Sequence, residues 1–329
     1  LKNEKNNHNK YLITGGAGFI GSHLVENLLS AGSKVIVYDN FSTGFETNLI
    51  QAQESLNKGL TVIKADIRDV EKLNLAMRGV DGVFHLAALV SVPISIDNPS
   101  LSFDINSRGT QIVLEQARKN NVFRVVLASS AAVYGENLSL PLKESESNKP
   151  ISPYGLDKYF SEQIGSLYSD LYKMNVTCLR FFNVFGPRQP PDSCYSGVVS
   201  IFAKKITSKE KATIYGDGSQ TRDFVYVKDV VNALTLSMNS LKSGFYTYNV
   251  GSGREISVNE LWELFCQISE LKQEPDYKLA REGDIKRSLA SIDKIKLDLG
   301  YNPAVYEIFK KNIRETLNWL ASIESLKKI

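Results

Sequence analysis

Apolar positions along this chain follow two rhythms. Short, nearly unbroken apolar runs lie at 11–14, 34–38, 60–64, 82–86, 123–128 and 176–181, rich in Val, Ile, Leu and Phe. Between them lie longer segments with helical spacing, such as 18–30 (Ile20, Leu24, Leu28), 99–120 and 153–173. Continuous apolar strands that alternate with helices predict a parallel sheet buried on both faces. Sheets of this kind bind ligands at the C-terminal ends of their strands.

After Asn183 the alternation stops. Residues 186–193 are a Pro-rich polar loop, and short helices and strands follow. The apolar run at 247–250 is expected to return to the main sheet. The fold class is therefore α/β: a Rossmann-type, doubly wound parallel sheet with a smaller C-terminal α/β domain for substrate. The expected partition gives 11–182 to the dinucleotide domain, with 223–252 returning to it. Residues 183–222 and 253–329 then form the smaller domain.

Composition narrows the function. The 329 residues are 43% hydrophobic and 23% charged, ordinary for a globular protein. A net charge of +3 is too small to suggest a nucleic acid or membrane partner. No apolar run approaches the roughly 20 residues of a membrane helix. Residues 1–10 have no apolar stretch and are read as a disordered lead-in rather than a signal peptide. Cys178, Cys194 and Cys266 are odd in number and far apart, which argues against a disulfide framework and for a reducing cytoplasm. His8, His23 and His85 lack ligand spacing, so no metal is expected.

Gly15, Gly18 and Gly21 follow the first predicted strand and open the first predicted helix. Such a turn brings backbone close to a pyrophosphate and points a helix N-terminus at it. Asp39 ends the second strand, 18 residues after Gly21. A carboxylate there accepts from the adenosine ribose hydroxyls and repels a 2′-phosphate, which favours NAD over NADP. Asp66 and Ile67 follow the third strand, either flanking the adenine or serving as a turn or helix cap.

Tyr154 and Lys158 lie one helical turn apart, in SPYGLDK. A tyrosine is a poor base at neutral pH, but a nearby ammonium and a nicotinamide cation lower its pKa toward the working range. Ser130, at the end of the fifth run, can donate to the oxygen that becomes a carbonyl.

With these residues in place, the chain resembles the extended short-chain dehydrogenases/reductases, and within them the UDP-hexose 4-epimerases, particularly those acting on UDP-N-acetylglucosamine. The resemblance runs from Lys10 to the C-terminus and rests on TGGAGFIGSHL, DNFSTG, ADIRD, HLAALVSVP, SSAAVYG, SPYGLDK, RFFNVFGPRQ, GDGSQTRDFVYV and REGD. It implies tightly bound NAD that is recycled in each turnover. Tyr154 takes the 4-hydroxyl proton as the 4-hydride leaves, the 4-keto sugar turns over, and the hydride returns to its other face. It also implies cofactor contacts from Phe19, Ile20, Asn40, Ser42, Thr43, Gly44, Ala87, Ala88 and Asn106, besides the glycines, Asp39, Asp66, Ile67, Tyr154 and Lys158. Substrate contacts are implied for Ser91, Ser129, Ser130, Asn183, Val198, Tyr215 (near uracil), Arg222, Arg281, Asp284 and Ser288. The resemblance further implies a homodimer formed by the helices at 99–120 and 153–173.

Departures from the wider family sharpen this expectation. Related dehydratases and decarboxylases carry an acid after the catalytic Ser or Thr, where this chain has Ala131-Ala132. The Cys and His of fucose-type epimerase-reductases are not visible, and Val90 replaces a Lys found in some epimerases. Ser288 stands where glucose-restricted epimerases place a bulky Tyr, so a 2-acetamido group has room; the bland alternative is a surface serine in a shifted register. Two other functions stay open: a UDP-glucuronate 4-epimerase, and an NAD-responsive binding protein on the same fold.

Overall fold

The structure, a computed structural model, describes residues 9–55, 59–136, 139–191, 197–280 and 285–326. Seven strands form one mostly parallel sheet: β1 (Lys10–Thr14), β2 (Lys34–Asp39), β3 (Leu60–Lys64), β4 (Gly82–His85), β5 (Arg124–Ser130), β6 (Asn175–Phe181) and β7 (Phe245–Val250). Their order is β7-β6-β5-β4-β1-β2-β3. The chain therefore winds outward from β1 in one direction and then, from β4, in the other. The reversal lies between β1 and β4, which pair in parallel with Ile13 opposite Phe84. A switch point of this kind opens a crevice at the strands' C-terminal ends. The run expected to return to the sheet does so as β7, at the edge beside β6.

β3 departs from the two-faced burial expected of the apolar strands. That strand ends the sheet, and three of its five residues are exposed. Val62 and Ile63 match the interior strands in composition, but position in the sheet rather than composition decides burial.

Two compact units emerge. As far as the described residues go, the first comprises Leu1–Ser129, Ser152–Leu179 and Leu234–Thr247. The second comprises Ser130–Ile151, Arg180–Ala233 and Tyr248–Ile329. Residues 130–151, assigned with the dinucleotide domain on sequence grounds, thus cluster with the second unit. The core of the first unit joins Leu12, Tyr38, Val83, Val113, Val125, Leu127 and Val176 with the inner faces of the flanking helices.

In the second unit the core is aromatic. Phe202 packs edge-on against Trp262, with centroids 5.1 Å apart, and Phe185 against Phe309 at 5.2 Å. The helix Val258–Ile268 starts at a reciprocal cap between Ser257 and Glu260, which satisfies two otherwise orphaned amides. Asp223 is fully buried here. Its carboxylate accepts from Ser252 N (2.6 Å), Ser252 Oγ (2.7 Å), Gly253 N (3.0 Å) and Ala290 N (3.1 Å). Burial pushes its carboxyl above the ordinary value, and these donors pull it part of the way back.

Removing the Asp223 carboxylate leaves four donors without their acceptor at once, among them the buried amide of Ala290. Asp223→Ala is expected to cost about 3–5 kcal/mol of stability, read from the denaturant midpoint, and a loss below about 1 kcal/mol would show that the hub is dispensable.

Candidate functional site: a glycine turn and a buried lysine

The glycine turn is built by close approach. Gly15 has φ +72°, and a Cβ there would lie 2.7 Å from Ala87 N. A Cβ on Gly21 would lie 2.2 Å from the Gly15 carbonyl oxygen. Only glycine lets the turn, the first helix (Phe19–Ser30) and the β4 end pack so tightly. That helix begins at Gly18 with no side-chain cap, so no hydroxyl or carboxylate of its own screens the N-terminus. Phe19 and Ile20, half-buried, form its first turn.

Asp39 ends β2 beside this turn. Its two oxygens accept from Ala17 N (2.9 Å) and Phe41 N (2.8 Å), which fixes the carboxylate and leaves further lone pairs for hydroxyl donors. Burial raises its carboxyl above the ordinary range, and the two amides oppose that rise. The loop after it folds back over the turn: Phe45 N and Asn48 Nδ2 both donate to Ala17 O. Within that loop Asn40 Oδ1 accepts from Ser42 N, Thr43 is exposed and Gly44 lies against Ala17. A glycine cradle, an uncapped helix start and a fixed carboxylate at a switch point fit the pyrophosphate and ribose of a dinucleotide.

Asp66 has acquired partners of its own. Arg68 Nε and Nη2 each donate to it at 2.8 Å, and Asn40 Nδ2 donates at 3.1 Å. The guanidinium holds its carboxyl down at about 2. The following helix is capped by Asp69 instead. Ile67 is buried in the core and touches the Gly109 position.

The β4 end is held by a directed chain that sequence reasoning missed. Thr110 Oγ1 donates to Asn106 O (2.6 Å), so it accepts from His85 Nε2 at 3.0 Å. His85 Nδ1 then accepts from Thr14 Oγ1 at 2.7 Å, and that oxygen accepts from Ala87 N. This polarity assigns the neutral Nε2–H tautomer. Burial, with the nearby Lys158 charge, pushes His85 down to about 3, so it stays neutral. Asn106 completes the clamp by exchanging two hydrogen bonds with the Leu89 backbone. Ala87 and Ala88 are half-buried on the loop so fixed, and Val90 is exposed.

The helix Pro153–Tyr172 begins with Ser152 as cap and Pro153 at its first position. Tyr154 N donates to Ser95 Oγ. Lys158 is buried and donates to Ala128 O at 2.8 Å, with its ammonium 5.8 Å from the Tyr154 ring centroid. Burial pulls Lys158 down to about 8, while Asp157, Cys178 and Glu162 act to raise it.

Two serines expected to touch substrate are buried and each makes a bond within the protein. Ser129 is buried and donates to Glu162 Oε1 at 2.6 Å. Ser91 is buried and caps the helix Val92–Asp97 by accepting from Ile94 N. Ser130 differs in exposure: it is half-buried, and its Oγ, like that of Ser91, accepts a backbone amide, Ala132 N, which leaves its own proton for another acceptor.

Ser130 belongs to the second unit. There Tyr134 donates to Asn249 Oδ1 (2.6 Å) and Arg180 lies over the Tyr134 ring at 4.8 Å, which pins the turn that starts at Ser130. Asn183 is exposed at the start of a short strand, Asn183–Phe185, paired with Phe224–Tyr226. Arg222 lies on the strand Thr221–Arg222 and donates to Thr221 O. Ser288 N donates to Thr221 O (3.2 Å), so Ser288 neighbours Arg222 across this strand and is half-buried. Tyr215 ends the strand Thr213–Tyr215, and Val198 opens the helix Val198–Thr207; both are half-buried. Arg281 and Asp284 lie outside the described residues.

Residues 12–316 match the family model described as GDP-mannose 4,6 dehydratase. The chain is 41% identical to a putative UDP-glucose 4-epimerase of Methanocaldococcus jannaschii, over 94% of this chain and 97% of that one. Among solved structures, the UDP-N-acetylglucosamine 4-epimerase of Methanobrevibacter ruminantium, in complex with UDP-N-acetylmuramic acid, superposes with a TM-score of 0.91 at 38% identity, covering 96% and 99% of the two chains. The Thermus thermophilus UDP-glucose 4-epimerase, in complex with NAD, gives 0.84 at 36% identity, covering 94% and 98%. The chain therefore belongs to the GDP-mannose 4,6-dehydratase family, within the extended short-chain dehydrogenases/reductases.

Proposed function

We propose that this chain is an NAD-dependent UDP-sugar 4-epimerase that interconverts UDP-N-acetylglucosamine and UDP-N-acetylgalactosamine, with UDP-glucose and UDP-galactose as further substrates. The observation that carries this reading is the pairing of Tyr154 with a buried Lys158 beside a glycine turn, with Ala131-Ala132 in place of an acid after Ser130. Epimerisation needs one proton moved at one oxygen, whereas elimination needs a second acid. The epimerases among the relatives support the same reaction class.

In this reading, Gly15, Gly18 and Gly21 admit the pyrophosphate and Asp39 holds the adenosine ribose. NAD, when bound, supplies a hydride acceptor and then a hydride donor. The Tyr154 phenolate oxygen takes the proton of the sugar 4-hydroxyl and later gives it back. Lys158 supplies a positive charge on the tyrosine's own helix, which stabilises the phenolate. Ser130 donates to the same sugar oxygen. Arg222 and Asn183, with Arg281 and Asp284, are assigned to the nucleoside diphosphate.

A 2-acetamido substrate is favoured by Ser288, a small side chain next to Arg222, and by the neighbour whose ligand is UDP-N-acetylmuramic acid. A homodimer is part of the proposal. On the helix Pro153–Tyr172 the buried face carries Asp157, Lys158, Ser161, Glu162 and Gly165, while Leu156, Phe160, Leu167 and Leu171 form an exposed stripe. That is the reverse of a solvated helix, and the stripe continues onto Phe103, whose ring lies 5.9 Å from that of Phe160. A second copy of the same face is its occupant.

Proton NMR of the anomeric region, with purified protein, should show UDP-N-acetylglucosamine converting to the galacto epimer. Tyr154→Phe should lose at least about a hundredfold in rate while bound NAD is retained; conversion of UDP-glucuronate alone would instead favour the uronate epimerase. Ser288→Tyr should suppress the N-acetylated pair and spare UDP-glucose, and equal loss of both would refute the specificity assignment. Sedimentation should give a dimer that Leu167→Glu with Leu171→Glu converts to monomer, and a monomeric parent protein at micromolar concentration would sink the dimer.

A further inference from the structure

The helix that packs beside Tyr154 and Lys158 is irregular. It runs from Pro99 to Lys119 but passes through a π-turn at Asp104–Arg108. In a regular α-helix, positions five apart point roughly 140° away from each other. An i→i+5 turn brings such positions onto one side. Here the two positions are Ser102 and Ser107, both fully buried. Ser102 Oγ donates to Asp157 Oδ2 at 2.5 Å and Ser107 Oγ donates to Asp157 Oδ1 at 2.7 Å. Each carboxylate oxygen thus has its own hydroxyl. Asn106 Nδ2 in turn donates to Ser102 Oγ, so the network continues into the clamp on Leu89.

Asp157 is 4% exposed. A buried carboxylate is costly unless its oxygens are satisfied and an opposite charge is near. The serines meet the first condition. The second is met one residue along, at Lys158, which is buried and donates to a backbone carbonyl rather than to a carboxylate. The titratable groups that act on Lys158 are Asp157 and Glu162 on its own helix, Cys178 on β6, His85 on β4 and the Tyr154 ring. His85 is neutral and Glu162 already accepts from Ser129. Asp157 leads the groups that counter the effect of burial on the lysine.

We infer that Asp157, fixed by Ser102 and Ser107 across the π-turn, is a positioning residue that preserves the positive charge of Lys158. The consequence for catalysis rests on the epimerase reading, because it is through Lys158 that Asp157 acts on Tyr154. The charge relation itself is independent of turnover. The irregular helix then has a purpose: without the π-turn, only one serine faces the carboxylate.

The test is a pH titration by NMR of the holoprotein carrying 13C-labelled lysine side chains. The Lys158 resonance is assigned by its loss in Lys158→Met. Asp157→Asn should lower the Lys158 midpoint by about one pH unit, and turnover of the variant should fail at correspondingly lower pH. Asp157→Ser, smaller and still able to bond the two serines, carries the same prediction if the Asn variant does not fold. An unchanged midpoint with merely reduced stability would overturn the inference and leave Asp157 as a packing residue. A lowered midpoint in a protein that turns over no UDP-sugar would keep the inference and refute the epimerase reading.

Discussion

The first unit is organised around one demand, the burial of the Lys158 ammonium. Removing such a charge from water costs several kcal/mol unless its surroundings compensate. The compensation comes from several directions. Ala128 supplies a carbonyl, Asp157 and Glu162 supply negative charge, and His85 contributes by remaining neutral. Each helper is fixed in turn: Asp157 by Ser102 and Ser107, Glu162 by Ser129, and His85 by Thr14 and Thr110. The same bonds hold the ends of β1, β4 and β5, where a doubly wound sheet binds its ligands. Stability and chemistry thus draw on one network.

The second unit shows the same economy with different chemistry. Asp223 gathers four donors, and Asn249 gathers Tyr134, Leu142, Ser291 and Glu144. Both are fully buried polar hubs that fix irregular chain, which a helix or sheet ladder would otherwise have to do. The turn that begins at Ser130 and the strand that carries Arg222 are therefore held by specific bonds, not by apolar packing alone.

What could be read in the sequence was what depends on local pattern. The strand rhythm, the glycine spacing and Asp39 each follow from near neighbours, and the sheet order agrees with them. Residues whose meaning comes from a distant partner were hidden. His85 read as a lone histidine because Thr14 and Thr110 are far from it in sequence. Asp157 carries no local signal between Tyr154 and Lys158, because the π-turn that meets it leaves no compositional trace. Ser91 and Ser129 carry hydroxyls suited to a substrate, and nothing in the local sequence shows that one also caps a helix and the other also holds Glu162. The exposure of β3 was equally hidden, since an edge strand and an inner strand can share a composition.

The central claim is that a hydride leaves C4 of a UDP-sugar and returns to the same carbon within one turnover. It is tested most directly by supplying UDP-sugar deuterated at C4 and following the label in the epimerised product by NMR. The account predicts that the deuterium stays at C4, with none exchanged into water and no other position labelled. Loss of the label to solvent would mean that C4 is inverted by proton abstraction, and would contradict the account.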